Sequence, residues 1–189
     1  MATGKIIVVS APSGCGKSTI INAIINRGDT DLTFSVSATN RSPRPGEEDG
    51  VNYHFLTTEA FREAVNNHEF IEWEEVYPGG YYGTLRSEVN RLVNMGRNVV
   101  LDIDVKGAIN VKNIYGNIAR TIFIMPPSID ELRRRLVGRG TDSPEVIETR
   151  VSRAEYELSL AEQLDFCITN DVLEKAINDT HCLIKEFIS

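Results

Sequence analysis

The 189-residue sequence predicts an α/β fold: a parallel sheet with helices on both faces. Three observations predict it. Short continuous apolar runs at residues 5–10 (KIIVVS), 98–104 (NVVLDID), 120–125 (RTIFIM) and 166–169 read as strands buried on both sides. Segments of helical periodicity follow at 18–26, 105–115 and 173–187. A Gly-rich loop joins the first strand to the first helix. Strands that alternate with helices imply parallel neighbours joined by crossovers.

The first unit carries the clearest chemistry. Residues 11–19 read APSGCGKST. They match the phosphate-loop pattern of Gly, four residues, Gly-Lys and Ser or Thr, except that Ala11 stands first. The candidate ATP-binding residues are therefore Ala11, Pro12, Ser13, Gly14, Cys15, Gly16, Lys17, Ser18 and Thr19. Gly14 and Gly16 let the backbone curl so that its N–H groups point at phosphate oxygens. Lys17 supplies charge beside the β and γ phosphates, and Ser18 a hydroxyl for Mg²⁺. Ala11 predicts a first position without a positive φ. Cys15, among inward amides near Lys17, predicts an oxidisable thiol. Ile20, Ile21, Ile24 and Ile25 form the core face of the helix that follows.

The stretch 34–97 has a different texture. Short strands are expected at 34–37, 51–55, 70–76 and 80–84, with turn formers between them and helices at 59–67 and 87–95. This is a small, mostly antiparallel lobe inserted between core strands. By alternation Ile71 and Trp73 face its core and Glu72 reads as an exposed strand residue. Residues 128–150 form a third unit. Ser128 with Glu131 opens an Arg-rich helix, Gly138-Arg139-Gly140 interrupts it, and Asp142, Pro144 and Glu145 mark the next start. A Gly-flanked basic segment between helices reads as a lid. Arg133 and Arg134 read as a solvated face. The expected division is a core of 1–33, 98–127 and 151–189, a lobe of 34–97 and a lid of 128–150. Asp102 and Asp104 end the second long strand, where a carboxylate beside a phosphate loop serves Mg²⁺ or an acceptor as readily as it faces solvent.

Composition narrows the partners. A net charge of −7 argues against nucleic acid and anionic membranes. No apolar run approaches a membrane span, and residues 1–5 pass into a strand without leader features. Cys15, Cys167 and Cys182 are widely spaced and form no Cys-His metal pattern, as expected of reduced thiols in a cytoplasm. Monomer and homo-oligomer are equally open.

Alongside PSGCGKST stand SVSATNRSPRPGE at 35–47, NYHF at 52–55, FIEW at 70–73, YYGT at 81–84, LDIDVKG at 101–107, PPS at 126–128, RLVGRGTD at 135–142 and ITND at 168–171. In this order and spacing the chain resembles the guanylate kinase family from end to end. The resemblance implies a P-loop kinase core with a GMP-binding lobe and a helical lid. It implies ATP-dependent phosphorylation of GMP, and of dGMP, with Mg²⁺. The GMP phosphate then falls to Arg41, Arg44, Tyr53 and Tyr82, and the guanine to Ser37, Glu72, Thr84 and Asp102. The family often has Ser where Thr84 stands. Lid arginines match Arg135, Arg139 and Arg150, which with Lys17 and Arg44 form the expected catalytic set. Asn170 and Asp171 fall by the ATP base, and Ser18, with Asp102 as a second candidate, falls by the metal. Two other readings stay open: a kinase of this architecture with a different phosphorylated acceptor, such as a sugar phosphate, and a non-catalytic binding module. Intact Lys17, Ser18, Arg44 and Arg139 argue against the module, and FIEW and YYGT favour guanine.

Overall fold

Each long apolar run becomes a strand in the computed structural model, which describes residues 3–140 and 142–189 without the side chain of Arg139. The chain runs β1 (Ile6–Ser10), α1 (Lys17–Arg27), β2 (Leu32–Phe34), β3 (Ala38–Thr39), β4 (His54–Phe55), α2 (Thr58–Asn66), β5 (Phe70–Tyr77), β6 (Gly80–Leu85) and α3 (Arg86–Asn94). It continues through β7 (Asn98–Asp102), α4 (Val105–Tyr115), β8 (Ala119–Met125), α5 (Ile129–Arg139), α6 (Pro144–Ser159), β9 (Phe166–Thr169) and α7 (Leu173–Ile188).

The main sheet has the order β2-β7-β1-β8-β9, and every pairing in it is parallel. β1 lies near its centre, with Ile6 opposite Val99 on one side and Ala119 on the other. Successive residues feed two different cores because side chains alternate across a strand. Ile7, Val9, Val100, Ile122 and Ile124 pack with Ile20, Ile24, Leu136, Val151 and Ile184 on one face. Ile6, Val8, Leu101 and Phe123 pack with Val89, Val93, Ala108 and Val111 on the other. A strand buried this way must be apolar at every position, which is why these runs were legible as strands.

The second sheet has the order β4-β3-β6-β5. Its β5–β6 hairpin is antiparallel and its β3–β4 contact parallel. Ala38, Phe61, Ala64 and Phe70 form a small core of its own, with the Phe61 and Phe70 rings stacked at 4.4 Å.

Several boundaries differ from expectation. The strand expected at 34–37 ends at Phe34 and belongs to the main sheet, where Phe34 pairs with Val100. The strand expected at 51–55 shrinks to His54–Phe55. Side chains fold the preceding turn instead: Asn52 Oδ1 accepts from Glu48 N at 2.9 Å and Asp49 Oδ1 from Phe55 N at 2.8 Å. Trp73 is 45% exposed, not core. β7 stops at Asp102, and Asp104 becomes the N-cap of α4, accepting from Gly107 N at 2.7 Å. Helix α6 is capped by Ser143, with Pro144 in its first turn, and runs unbroken to Ser159. Ser128 caps α5 by accepting from Glu131 N, and Gly140 closes it at φ 65°.

Candidate functional site

The loop between β1 and α1 lies at the carboxyl edge of the parallel sheet, where open α/β sheets place their ligands. Gly14 and Gly16 have φ of 98° and 86°. Among the described residues only Asp31 and His68 combine a side chain with a positive φ, so Ala11 has none, as its side chain requires. Gly16 is doubly constrained. A Cβ there would meet Asn170 Nδ2 at 2.7 Å. Asn170 is buried and braces the loop: its Nδ2 donates to Cys15 O and its N to Met125 O, both at 2.8 Å. Its own carbonyl accepts from Arg135 Nη2 at 3.0 Å, and Arg135 Nε donates to Glu131 at 2.8 Å. Gly14, Gly16, Thr19, Arg135, Asn170 and Asp171, with Leu173, line a recess of about 310 Å³ beside the loop. Replacing Gly16 by Ala is expected to destabilise the fold by about 1–2 kcal/mol and to abolish tight ATP binding; thermal melts and ATP titration check both.

Cys15 corrects an expectation. It is 1% exposed and packs in the apolar cluster beneath α1. Burial keeps solvent oxidants from its sulfur.

Lys17 Nζ lies 2.5 Å from Asp102 Oδ1 and donates to Ile103 O at 3.3 Å. Ser18 Oγ donates to Asp102 Oδ2 at 3.4 Å. Asp102 thus sits with the lysine and hydroxyl of the phosphate loop. From α6, Arg150 donates to Ser13 Oγ and lies 3.4 Å from Asp142 Oδ2. The Arg139 side chain lies outside the described residues. Arg134 is a solvated partner of Glu131, while Arg133 ties α5 to Glu148 on α6.

The second sheet gathers an aromatic and basic cluster. Arg41 forms a two-pronged pair with Glu47 at 2.6 and 2.7 Å, and its Nε donates to Tyr82 Oη at 3.1 Å. Its guanidinium lies 5.0 Å from the Tyr53 ring centroid, and Tyr53 packs edge-on against Tyr82. The Arg41 bonds hold the Glu47 carboxyl down at about 2. Glu47 Oε2 also accepts from the backbone N–H of Arg44, whose side chain is exposed at the same turn. Burial raises the phenol of Tyr82, but hydrogen bonds from Tyr77, Arg41 and Thr39 outweigh it and bring it below its usual range.

Glu72 and Thr84 face each other across the β5–β6 ladder, and Thr84 Oγ1 donates to Glu72 Oε1 at 2.5 Å. Burial pushes the Glu72 carboxyl up, the Thr84 bond pulls it back, and Asp104 and Glu74 push it further. Gly107 permits this crowding, since a Cβ there would lie 2.9 Å from Glu72 Cγ and 3.1 Å from Asp104 Oδ1. One cleft of about 850 Å³ joins the two halves. Residues 11–14 and 16–19 form one wall, with Asp102 and Arg150; Ser37, Tyr53, Glu72 and Tyr82 form the other.

A guanylate kinase family model matches residues 3–187. The chain belongs to the guanylate kinase family. It is 54% identical over 187 residues to the guanylate kinase of Bacteroides thetaiotaomicron, covering 99% of this chain and 91% of that protein. It is 48% identical to the guanylate kinase of Salinibacter ruber over the full length of both. Its fold matches the crystal structure of guanylate kinase from Anaplasma phagocytophilum with a TM-score of 0.72 at 31% identity, covering 100% of this chain and 88% of that one. The α/β fold and the family resemblance expected from the sequence are thereby established.

The structure gives one charged group of the cleft a different part from the one expected of it and adds others. The carboxylate acting on Glu72 is that of Asp104, the N-cap of α4, and not the strand-end Asp102. Its signal was an Asp directly before a helical segment, the mark of an N-cap. Glu74, Arg153 and the buried Glu157 also line the cleft. Arg153 and Glu157 have helical i, i+4 spacing, which reads as an ordinary surface pair.

Proposed function

We propose that the cleft holds ATP on the loop wall and GMP on the second-sheet wall, and transfers the γ-phosphoryl from one to the other. The family's reaction, ATP-dependent phosphorylation of GMP, fits both walls. A phosphate oxygen of GMP attacks the γ-phosphorus, the bond to the β–γ bridging oxygen breaks, and ADP leaves as GDP forms. The acceptor is already an anion, so no general base is assigned. Catalysis reduces to alignment and neutralisation of charge.

Lys17 neutralises the donor phosphates. Arg41, Arg44, Tyr53 and Tyr82 take the GMP phosphate; guanidinium forks suit its oxygens and phenols add neutral donors. Arg44 and the lid arginines Arg135, Arg139 and Arg150 approach the moving group. Arg150 already reaches the loop through Ser13, which supports its part. Asn170 and Asp171 border the ATP base. Guanine offers N1–H and N2–H₂ on one edge, and Glu72 accepts both while Thr84 orients it. Ser37 and Asp104 complete that pocket; Asp102, engaged with Lys17 and Ser18, fits the donor side better than the base. The Ser18 hydroxyl and Asp102 carboxylate are hard oxygen donors converging at the loop, and they suit Mg²⁺, which takes few protein ligands in nucleotide sites. When bound, Mg²⁺ supplies positive charge to the phosphate oxygens. Lobe and lid close over the core on the two substrates and exclude water, with Phe34 and helix α3 on the core side of the division expected at 34 and 98. No helix among the described residues is long and apolar enough to cross a membrane, which is compatible with work in the cytoplasm.

The observation that carries this reading is the cleft walled on one side by a phosphate loop and on the other by Glu72, whose Oε1 accepts from the buried Thr84 hydroxyl. The test is an acceptor panel with ATP and Mg²⁺. GMP is expected to be used best and dGMP next, with AMP, IMP and ribose phosphates far behind. Preference for a ribose phosphate would reassign the acceptor.

A further inference from the structure

Helix α6 carries two arginines one turn apart. Arg150 reaches Ser13 in the phosphate loop. Arg153 reaches the other wall: its Nη1 donates to Glu74 Oε1 on β5 at 2.8 Å. Its Nε donates to Glu157 Oε1 at 2.9 Å, and its Nη2 lies 3.9 Å from Asp104 Oδ2. Glu74 stands opposite Tyr82 on β6, and Glu72, two residues earlier, stands opposite Thr84. A contact that holds Glu74 therefore holds the strand pair carrying both the guanine-facing groups and a phosphate-facing tyrosine.

The charges around Arg153 give the contact its direction. Glu72 and Glu74 come from β5, Asp104 from the start of α4 and Glu157 from α6. These four carboxylates and Arg153 line both the main cleft and a second cavity of about 640 Å³. Without the guanidinium, like charges on β5 and on the main-sheet side would push the two apart. With it, a fork-shaped cation bridges them, which a lysine cannot reproduce with the same geometry. We infer that Arg153 is a positioning residue, a latch that draws the GMP-binding strand pair onto α6 and so seats the guanine nucleotide. This rests on the reading of the cleft proposed above.

The test is a double-mutant cycle with Arg153→Ala and Glu74→Ala, read as GMP Kd by calorimetry and as KM for GMP and for ATP. If the binding-competent arrangement is populated less, GMP affinity falls by that fraction. Each single variant is expected to weaken GMP about two- to fivefold, the range of a half-exposed ion pair. KM for ATP stays unchanged, and Arg153→Ala costs less in the Glu74→Ala background than in the wild type. Arg153→Lys is expected to fall between wild type and Arg153→Ala. Unchanged GMP affinity, strictly multiplicative losses in the double variant, or an equal rise in KM for ATP would each overturn the latch. Wild-type protein that fails to phosphorylate GMP would instead remove the proposed function, so the two failures are distinguishable.

Discussion

Replacing Lys17 by Ala is expected to lower kcat by about 10²-fold or more while the protein stays folded. The ammonium stands at the first turn of α1, within 2.5 Å of Asp102. In the transition state the phosphates carry charge that a preorganised cation stabilises without having to move. Removing one such group typically costs about 3–4 kcal/mol. Lys17 is partly exposed, so its loss leaves no cavity in the apolar core. Asp102 loses its ion pair but keeps Ser18. Circular dichroism should therefore match the wild type while a coupled ADP assay shows the loss. Turnover like that of the wild type would take Lys17 out of the mechanism.

The second large effect is expected at Glu72. Glu72→Gln should reduce kcat/KM for GMP about 10²-fold and leave ATP affinity intact. An ionised carboxylate accepts from both guanine donors, and hydrogen bonds to a charged acceptor contribute about 1.5–3 kcal/mol each. A glutamine turns one acceptor into a donor that opposes the base, and sites built around such pairing discriminate steeply. A fall in directly measured ATP affinity would instead mean damage to the whole cleft. The environment adds a pH signature. Burial, Asp104 and Glu74 raise the folded Glu72 carboxyl above 4.5, so its protonation on acidification begins at higher pH than for an ordinary glutamate. Protonation removes an acceptor. The acid limb of kcat/KM for GMP, compared at each pH with the substrate's own phosphate titration, is thus expected to change shape in Glu72→Gln, which lacks the titrating carboxyl.

How much of this was legible depended on how local the signal was. The strands of the main sheet around Ile7, Val100 and Ile122 were readable because burial on both faces forces every position to be apolar. The phosphate loop was readable because its chemistry is fixed by consecutive residues. Leu32–Phe34 was misplaced because three residues carry no period, and only pairing with Asn98–Val100 assigns them to the main sheet. Trp73 was misread because β5 leaves both apolar clusters after Phe70 and Ile71, so alternation no longer means burial there. The separation of Asp102 from Asp104 depends on where β7 ends. Once the strand stops at Asp102, one carboxylate turns to Lys17 and the other caps α4 beside Glu72. Arg153 carried no signal in the sequence because its partner Glu74 lies 79 positions away on another element.

Two nucleotides are expected to occupy the one cleft at once, each on its own wall. Calorimetric titration of GMP into protein saturated with Mg²⁺ and a non-hydrolysable ATP analogue checks this. One GMP should bind per chain, with affinity equal to or tighter than without the analogue. Displacement of GMP by the analogue, with the two competing for a single site, would contradict it.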